Sequence, residues 1–290
     1  MTHVIAVIPA FDPEPGLLGL VDDVSPQVGA VVVVDDGSTQ GLDVLDALAG
    51  RPQVRLVRQD NAGVAAALNT GVRIALAHHA DAVLTVDQDS GVPPGYVTAA
   101  VAAWQRATAR GIPVAFVSAA SYSGRPTPTR GRRDGFAVAF DPMQSGCLVP
   151  AATYREVGEY DAGLVIDAVD SELTARCLAA GLVPVVGPGC DLVHGMGERI
   201  AVHLLGRDLA YNRHSAQRVY YMARNGTLLS RRYARHQPAW VLRRLVEEGK
   251  AHTLRLALSP ERGRLARAAL AGVRDGVRGR TGPASEAKSG

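Results

Sequence analysis

Residues 84–90 read Leu84-Thr85-Val86-Asp87-Gln88-Asp89-Ser90. The apolar run Ala82–Val86 has the composition of a strand driven into an interior, and it stops abruptly at two carboxylates spaced i and i+2. In an extended chain, residues two apart point to one side and lie about 7 Å from each other. Asp87 and Asp89 are therefore placed to converge on one hard cation such as Mg²⁺ or Mn²⁺. Such ions take oxygen ligands and commonly bridge a protein carboxylate to a substrate phosphate. The plain alternative is a strand end followed by a polar turn, with Gly91, Pro93 and Pro94 as its punctuation. Asp-x-Asp alone is a weak pattern, and the surrounding chain has to decide.

Outward from this strand the same pattern repeats. His3–Ala10 and Ala30–Val34 are near-continuous apolar runs, suited to strands buried on both faces of a parallel sheet. Pro9 ends the first, ahead of Phe11-Asp12-Pro13, and Asp35-Asp36-Gly37-Ser38 ends the second. Further strands are predicted at Val54–Val57 and Val114–Ala119. Helices are predicted near Glu14–Val24, at Leu42–Ala49 and at Tyr96–Arg110. Another starts from Asn61 as its cap, with Val64, Leu68, Val72 and Leu76 on an apolar face. Such alternation implies right-handed crossovers and a parallel sheet. Ligands of these sheets bind outside the carboxyl ends of the strands, at a switch in strand order. Three carboxyl ends here carry polar groups: Pro9 to Asp12, Asp35 to Ser38, and Asp87 to Asp89. An acid such as Asp36 can accept from a base N–H or a ribose hydroxyl, so a nucleotide crevice is expected. Neither Gly-x-Gly-x-x-Gly nor Gly-x-x-x-x-Gly-Lys-Ser/Thr occurs, which removes support for a dinucleotide fold or a P-loop.

After Ser121 the character changes. Ser121–Gly135 is rich in Arg, Pro, Gly and Thr and reads as a mobile loop, with Arg125, Arg130, Arg132 and Arg133 either solvated or available to an anion. Strands are predicted at Phe136–Phe140, Cys147–Val149 and Val183–Val186. Residues Val165 to Glu172 bring Asp167, Asp170 and Glu172 together and open a helix to Ala180. Acids in a first helical turn favour the helix dipole, which is their ordinary explanation. His194, in Asp191-Leu192-Val193-His194-Gly195, is by itself more simply a structural histidine than a ligand. From Ala201 onwards the pattern reads as helical and basic, ending in a polar tail from about Arg280 that is expected to be disordered.

A chain of 290 residues, 47% hydrophobic and 20% charged, is long enough for one large α/β domain or a domain with an appendage. No run approaches 18 apolar residues, so no transmembrane helix is expected. The first residues lack a basic stretch ahead of an apolar one, so no signal peptide is expected and the cytoplasm is the default. Cys147, Cys177 and Cys190 are odd in number and widely spaced, and they read as small buried residues in a reducing compartment. The net charge of +3 hides an asymmetry: residues 231–280 carry 13 Arg/Lys against 4 Asp/Glu, a net of +9, and the first 230 carry 17 against 23, a net of −6. Basic charge gathered at one end suggests an anionic partner surface, phospholipid or nucleic acid, or else a solvated helical face. Arginine outnumbers lysine 29 to 2. Arginine is the better bidentate phosphate partner, although genome composition produces the same bias.

The ordered set Val7-Ile8-Pro9-Ala10-Phe11, Val34-Asp35-Asp36-Gly37-Ser38, Asn61-Ala62-Gly63 with Asn69-Thr70-Gly71, and Asp87-Gln88-Asp89 resembles a family 2 glycosyltransferase of the GT-A fold. Gln144-Ser145-Gly146, Ile166 through Glu172, His194-Gly195-Met196-Gly197 and His214 through Asn225 resemble the bacterial rhamnosyltransferase branch in the same order. The likeness spans about residues 4–235 and each motif alone is short. It implies an α/β GT-A fold with a central, mostly parallel mixed sheet flanked by helices over residues 1–235. A basic helical extension at 236–280 and a tail at 281–290 lie outside it. It also implies inverting transfer of a sugar from a nucleoside diphosphate, dTDP-rhamnose first and a UDP-sugar (galactofuranose or a hexose) second, to a saccharide hydroxyl on a cell-surface glycan or lipid-linked acceptor. By this resemblance Asp87, Asp89 and His194 hold Mg²⁺ or Mn²⁺. Pro9, Ala10, Asp12, Asp35, Asp36, Ser38, Asn61, Gly63, Asn69, Asp87 and Gln88 lie at the donor nucleotide. Asp170 is the general base, and Asp167, Glu172, Ser145 and Gly146 lie near the acceptor. Arg218, Tyr221, Arg224 and Asn225 lie beside the diphosphate or acceptor. Ala168 and Leu173 stand where aromatic residues are frequent in the family, which puts the acceptor's identity in question more than the reaction. Inversion fits the residues, because it needs one carboxylate opposite the leaving group and a separate cation site for the departing diphosphate. The expected partners are a membrane surface for the basic helices and further copies of the chain, with no nucleic acid. Nucleotidyl transfer is a rival reading, disfavoured by the absence of a Gly-rich basic loop after the first strand. A non-catalytic binding protein is another, disfavoured by Asp87, Asp89 and Asp170.

Overall fold

A computed structural model describes residues 2–195, 199–204 and 207–284. It opens with β1 (Val4–Ala10), α1 (Gly16–Val24), β2 (Ala30–Asp36), α2 (Leu42–Ala49), β3 (Val54–Gln59), α3 (Val64–Ala77), β4 (Ala82–Thr85), β5 (Ser90–Gly91), α4 (Tyr96–Ala109) and β6 (Val114–Ser118). Strands β7 (Ser121–Tyr122), β8 (Arg125–Pro126), β9 (Thr129–Arg133), β10 (Phe136–Ala139) and β11 (Cys147–Pro150) follow. Then come α5 (Ala151–Val157), α6 (Val169–Ala179), β12 (Val183–Val186) and β13 (Asp191–His194). The hairpin β14 (Arg199–Leu204) and β15 (Arg207–Asn212) precedes α7 (Ala216–Tyr233), α8 (Pro238–Leu258) and α9 (Arg262–Val277).

The main sheet has the order β3-β2-β1-β4-β11-β6-β12-β10-β9. β1, β2, β3 and β4 are mutually parallel, and β11 and β10 run against their neighbours, which makes the sheet mixed but mostly parallel. The chain leaves β1 toward β2 and β3 on one side and returns to place β4 on the other, so the switch in strand order lies at β1. Strand periodicity of two sends alternate residues of β1 to opposite faces. Val4, Ala6, Ile8 and Ala10 enter the core formed with α1, α2 and α4, including Leu17, Leu20, Leu45 and Val97. Helix α3 lies on the other face, so close that a Cβ at Gly71 would stand 2.2 Å from Cγ1 of Val7. Only a residue without a side chain admits that approach.

Two compact units result, one of Met1–Val165 with Val169–Gly195, the other of Ile166–Ala168 with Met196–Gly290. The second is built on α7, whose Ser215 cap oxygen accepts from Arg218 N, and on α9, which packs along it.

Several expectations change. Ser121–Gly135 is an ordered set of short strands rather than a mobile loop, because β9 pairs with β10 as the antiparallel edge of the main sheet. The segment after Ala201 begins with the β14–β15 hairpin, and helix starts only at Ala216. Asn61 does not cap α3: Gly63 takes that place with φ 92 and ψ 160, a conformation that favours glycine. The helix expected from Val165 begins at Val169, and α5 was not foreseen. Met196, Gly197 and residues 285–290 lie outside the described residues.

Candidate active site

The three polar strand ends meet at one edge, as the parallel register of β1, β2 and β4 requires. Most of their side chains first satisfy backbone donors. Asp36 Oδ1 accepts from Ala62 N at 3.0 Å and Oδ2 from Gly63 N at 2.8 Å, with Gln59 Nε2 at 2.8 Å, so this buried acid shapes the entry to α3. Asp35 accepts from Ser38 N at 3.0 Å. Asp12 has φ 44 and accepts from Thr39 N at 2.7 Å and Gln40 N at 2.9 Å, while its own N–H donates to Ser38 Oγ at 2.8 Å. The N–H groups of Gln40 and Thr39 hold the Asp12 carboxyl below its usual range. Gln88 clasps Phe11 from both sides, accepting from its N–H at 2.9 Å and donating to its C=O at 3.0 Å. Pro9 and Ala10 form the buried floor, and Phe11 is left exposed beside them.

Asp87 and Asp89 are joined by a turn rather than an extended strand, since Ser90 N donates to Asp87 O at 3.1 Å. His194 reaches them because β13 pairs antiparallel with β5 and sets His194 opposite Ser90. Among the described residues, one oxygen or nitrogen from each of Asp87, Asp89 and His194 lies within 4.8 Å of the others. Asp89 is 56% exposed at its side chain and His194 10%, with His194 Nδ1 3.6 Å from Asp89 Oδ1. A chain of hydroxyls fixes the cluster. Ser90 Oγ lies 2.8 Å from both His194 Nδ1 and Ser145 Oγ, and Ser145 Oγ accepts from Asp87 N at 3.0 Å. Gln144 Nε2 donates to Asp87 Oδ1, and its buried Oε1 has no hydrogen-bond partner among the described residues. Two carboxylates and an imidazole are donors suited to Mg²⁺ or Mn²⁺. Ser90 and Gln144 were not singled out from sequence, although Gln144 stands in the Gln144-Ser145-Gly146 motif. Gly146 keeps φ 79, its C=O accepts from Tyr96 Oη at 2.7 Å, and a Cβ there would meet that oxygen at 2.5 Å.

Asp170 sits in the first turn of α6 and accepts from Ser171 N at 2.8 Å. Burial first, and then the charges of Asp170 and Asp87, drive the Cys147 thiol well above its ordinary range. Burial, and then Cys147 with the same two carboxylates, do the same to the Tyr122 hydroxyl. One buried pair of side chains thus senses both acids.

Residues 5–143 match the model described as Glycosyl transferase family 2. This stretch of the chain is similar to family 2 glycosyltransferases. Over 295 aligned residues the chain is 28% identical to the dTDP-rhamnosyl transferase RfbF of Shigella flexneri, with 97% of each covered. The fold matches residues 1–349 of S. aureus TarS with a TM-score of 0.57 and 16% identity, over 95% of this chain and 81% of that one. Against the longer TarS chain, 78% of this chain covers 40% of that one at a TM-score of 0.50. It also matches the mannosyltransferase PcManGT of Pyrobaculum calidifontis, solved with GDP-Man and Mn²⁺, at a TM-score of 0.56 and 18% identity, over 99% and 77% of the two chains. These neighbours are GT-A glycosyltransferases, and the likeness is one of fold.

Other residues expected at the site make contacts within the protein. Asn69 is buried and bonds both ways to Tyr160, Nδ2 to its C=O and Oδ1 from its N–H, each at 2.9 Å. Glu172 is buried against Arg176, whose Nη2 approaches to 2.6 Å and which also holds the carbonyls of Val157 and Glu159. In the second unit Arg218 Nη2 meets Asp167 Oδ1 at 2.7 Å. Asn225, fully buried, donates to the carbonyls of Ile166 and Asp167, both at 2.9 Å. Arg224 is buried over the ring of Tyr221, 4.7 Å from its centroid, and donates to Asn225 Oδ1 at 2.9 Å and to Gly282 O at 2.5 Å. The Tyr221 hydroxyl accepts from Ala284 N. Burial and these bonds suit Asn69, Glu172, Arg224 and Asn225 to holding backbone in place.

Proposed function

We propose that this protein is an inverting, metal-dependent glycosyltransferase that moves rhamnose from dTDP-rhamnose to a hydroxyl of a cell-surface glycan or lipid-linked saccharide. The observation that carries the reading is the convergence of Asp87, Asp89 and His194 at the carboxyl edge of β4, with β1 between it and the Asp35–Asp36 end of β2. The donor choice is supported by the rhamnosyl relative named above.

On this reading the crevice at the ends of β1 and β2 receives the nucleoside, with Pro9, Ala10, Asp12, Asp35, Asp36, Ser38, Asn61, Gly63 and Gln88 shaping it. Asp87, Asp89 and His194 hold Mg²⁺ or Mn²⁺, which supplies Lewis-acid neutralisation of charge on the departing diphosphate. Asp170 takes the proton of the acceptor hydroxyl. The freed oxygen bonds to the anomeric carbon from the face opposite the diphosphate, whose oxygen leaves with the electron pair of the broken C–O bond. Ser145 and Gln144 keep Asp87 oriented. We take residues 1–235 as the transferase domain, 236–280 as a basic helical extension and 281–290 as its tail. The extension places the enzyme on the inner face of a membrane.

Thermal melting against a panel of nucleoside diphosphates, with and without Mn²⁺ or Mg²⁺, tests the donor site by mass action on the native state. The expected result is a metal-dependent rise with dTDP that Asp89→Ala abolishes. A rise with UDP alone would keep the transferase and discard rhamnose, and no rise with any nucleotide would overturn the reading. Asp170→Asn should keep the nucleotide-dependent rise while losing about 10²–10⁴-fold in transfer rate, the usual worth of a general base.

A further inference from the structure

Six of the nine large apolar side chains that stand exposed among the described residues sit on two consecutive helices. They are Leu242, Leu245 and Val246 on α8, and Leu270, Val273 and Val277 on α9, with Leu242 at 64% and Leu270 at 71% exposure. Spacings of i, i+3, i+4 and i, i+3, i+7 put each trio on one helical stripe. These are not the packed faces. α8 buries Trp240, Val241 and Arg244, and α9 buries Leu265, Ala268, Gly272 and Gly276. The two α9 glycines lie on α7 so closely that a Cβ at Gly272 would be 2.4 Å from Tyr220 O and one at Gly276 2.6 Å from Arg224 O. Each helix therefore presents one face to its own unit and a second apolar face to the outside. Grouped apolar surface of this kind marks an interaction site.

We propose that α8 and α9 dock on an anionic phospholipid bilayer, the apolar stripes entering the headgroup boundary while the flanking basic side chains meet lipid phosphate. This gives the membrane association proposed above its contact surface, and it rests on these exposed side chains rather than on the donor assignment. Charge selects the occupant. Helical neighbours lie three or four residues apart. Val246 is thus bracketed by Arg243 and Lys250, and Leu270 by Arg267 and Arg274, while Arg274 also lies one turn from Val277 and Arg278 follows it in sequence. α9 holds a single acid, Asp275, and that one is buried. A second copy meeting this face across a two-fold axis would set each arginine row near its own duplicate, which like-charge repulsion opposes. A nucleic acid would satisfy the arginines and leave the leucines and valines in water. An anionic bilayer takes both, as amphipathic helices with a basic polar face do. Among the described residues no helix is long and apolar enough to cross a membrane, so the contact is one of surface docking.

The test is co-sedimentation of the full chain with phosphatidylcholine vesicles, with and without phosphatidylglycerol. The wild type should pellet with the anionic vesicles and not with phosphatidylcholine alone. Leu242→Glu with Leu245→Glu, and separately Leu270→Glu, should weaken partitioning by about tenfold or more, because each removes apolar area from the interface and adds repulsion. Arg267→Gln with Arg278→Gln should weaken it and reduce its salt dependence. An unchanged melting point and an intact nucleotide-dependent thermal shift in these variants would separate loss of docking from loss of fold or of the donor site. Serine at the same positions serves where glutamate lowers the melting point. Equal pelleting of wild type and glutamate variants would overturn the proposal. So would a wild-type dimer, seen by sedimentation velocity, that the glutamates split without any vesicle binding, or binding to duplex nucleic acid but not to vesicles.

Discussion

Gly249 and Gly272 lie inside consecutive helices, and the same change at each should act with opposite sign. Replacing a mid-helix glycine by alanine ordinarily stabilises by about 0.5–1 kcal/mol, because the unfolded chain loses freedom. Gly249 in α8 is exposed and a Cβ there would meet nothing within 4 Å, so Gly249→Ala should collect that whole gain. At Gly272 the Cβ would stand 2.4 Å from Tyr220 O, 3.0 Å from Arg224 N and 3.0 Å from Ala223 Cβ. Two of those atoms are α7 backbone, which cannot swing aside as a long side chain would. The helices must part, and Gly276 on the next turn, with its Cβ position 2.6 Å from Arg224 O, resists the shift. Overpacking of this kind costs about 1–3 kcal/mol, which leaves a net loss of about 1–2 kcal/mol after the propensity gain. The two variants should therefore differ by about 1–3 kcal/mol. The chain has two tryptophans, Trp240 in α8 and Trp104 in α4. In a Trp104→Phe background, denaturant unfolding followed by Trp240 fluorescence reports on the helical unit. A Gly272→Ala midpoint equal to or above that of Gly249→Ala would refute the close α7–α9 packing.

Asn225→Ala strips the bonds to Ile166 O and Asp167 O and the acceptor for Arg224 Nε, and should cost about 2–4 kcal/mol in the same unfolding assay. Asp36→Asn turns an acceptor of Ala62 N and Gly63 N into a donor facing donors, so a loss of about 2 kcal/mol, with a weaker nucleotide-dependent thermal shift, is expected. His214 is pushed down to about 4, by burial first and then by Arg255 and Arg218. Because its native pKa is depressed, the unfolded chain binds the extra proton between about pH 6.5 and 4. The stability this histidine contributes is complete above that window and falls as pH drops through it. With solvent screening allowed for, the loss is about 1–2 kcal/mol, and His214→Asn should flatten the pH dependence of unfolding over that range.

The parallel half of the sheet is legible in sequence because buried parallel strands must be apolar throughout, and Val4–Ala10, Ala30–Asp36 and Ala82–Thr85 leave no alternative. β9 is not legible for the opposite reason. Thr129–Arg133 is an exposed edge with no core face to write a pattern, and arginines along such an edge deter further pairing. The hairpin β14–β15 carries mixed polarity that reads equally as helix. Within the site, Asp87, Asp89 and His194 could be named, but the pairing that joins them is a contact between residues more than a hundred positions apart, set by β5 and β13, two and four residues long. The turn before α6 was hidden for another reason. Val165 takes φ 67 and ψ −68, the values of a strained γ-turn, and Asp167 and Ala168 follow at φ 62 and 61. No glycine announces it. Asn225, far along the chain, holds its carbonyls.

Acids at the end of a parallel sheet invite a reading as ligand contacts, and the structure sorts them by a prior demand. Loops leaving strands carry unpaired N–H groups, and a buried donor without an acceptor is costly. Aspartate, short and doubly accepting, meets that need, which is why Asp12, Asp35 and Asp36 each take backbone donors. Their carboxylates shape the crevice whether or not a nucleotide is in it. Asp89 stands apart: it is the exposed member, and His194 and Asp87 are among its near neighbours. Among the described residues its carboxylate lies beside a second carboxylate and an imidazole already fixed by Ser90. The three side chains could together hold a metal ion. The same logic separates Glu172, neutralised in the interior by Arg176, from Asp170 two residues earlier, whose charge reaches Cys147 and Tyr122 alongside that of Asp87. Spacing along the chain could not divide those two acids, because both fall in the first turn of α6. Burial beside a guanidinium sets Glu172 apart from Asp170.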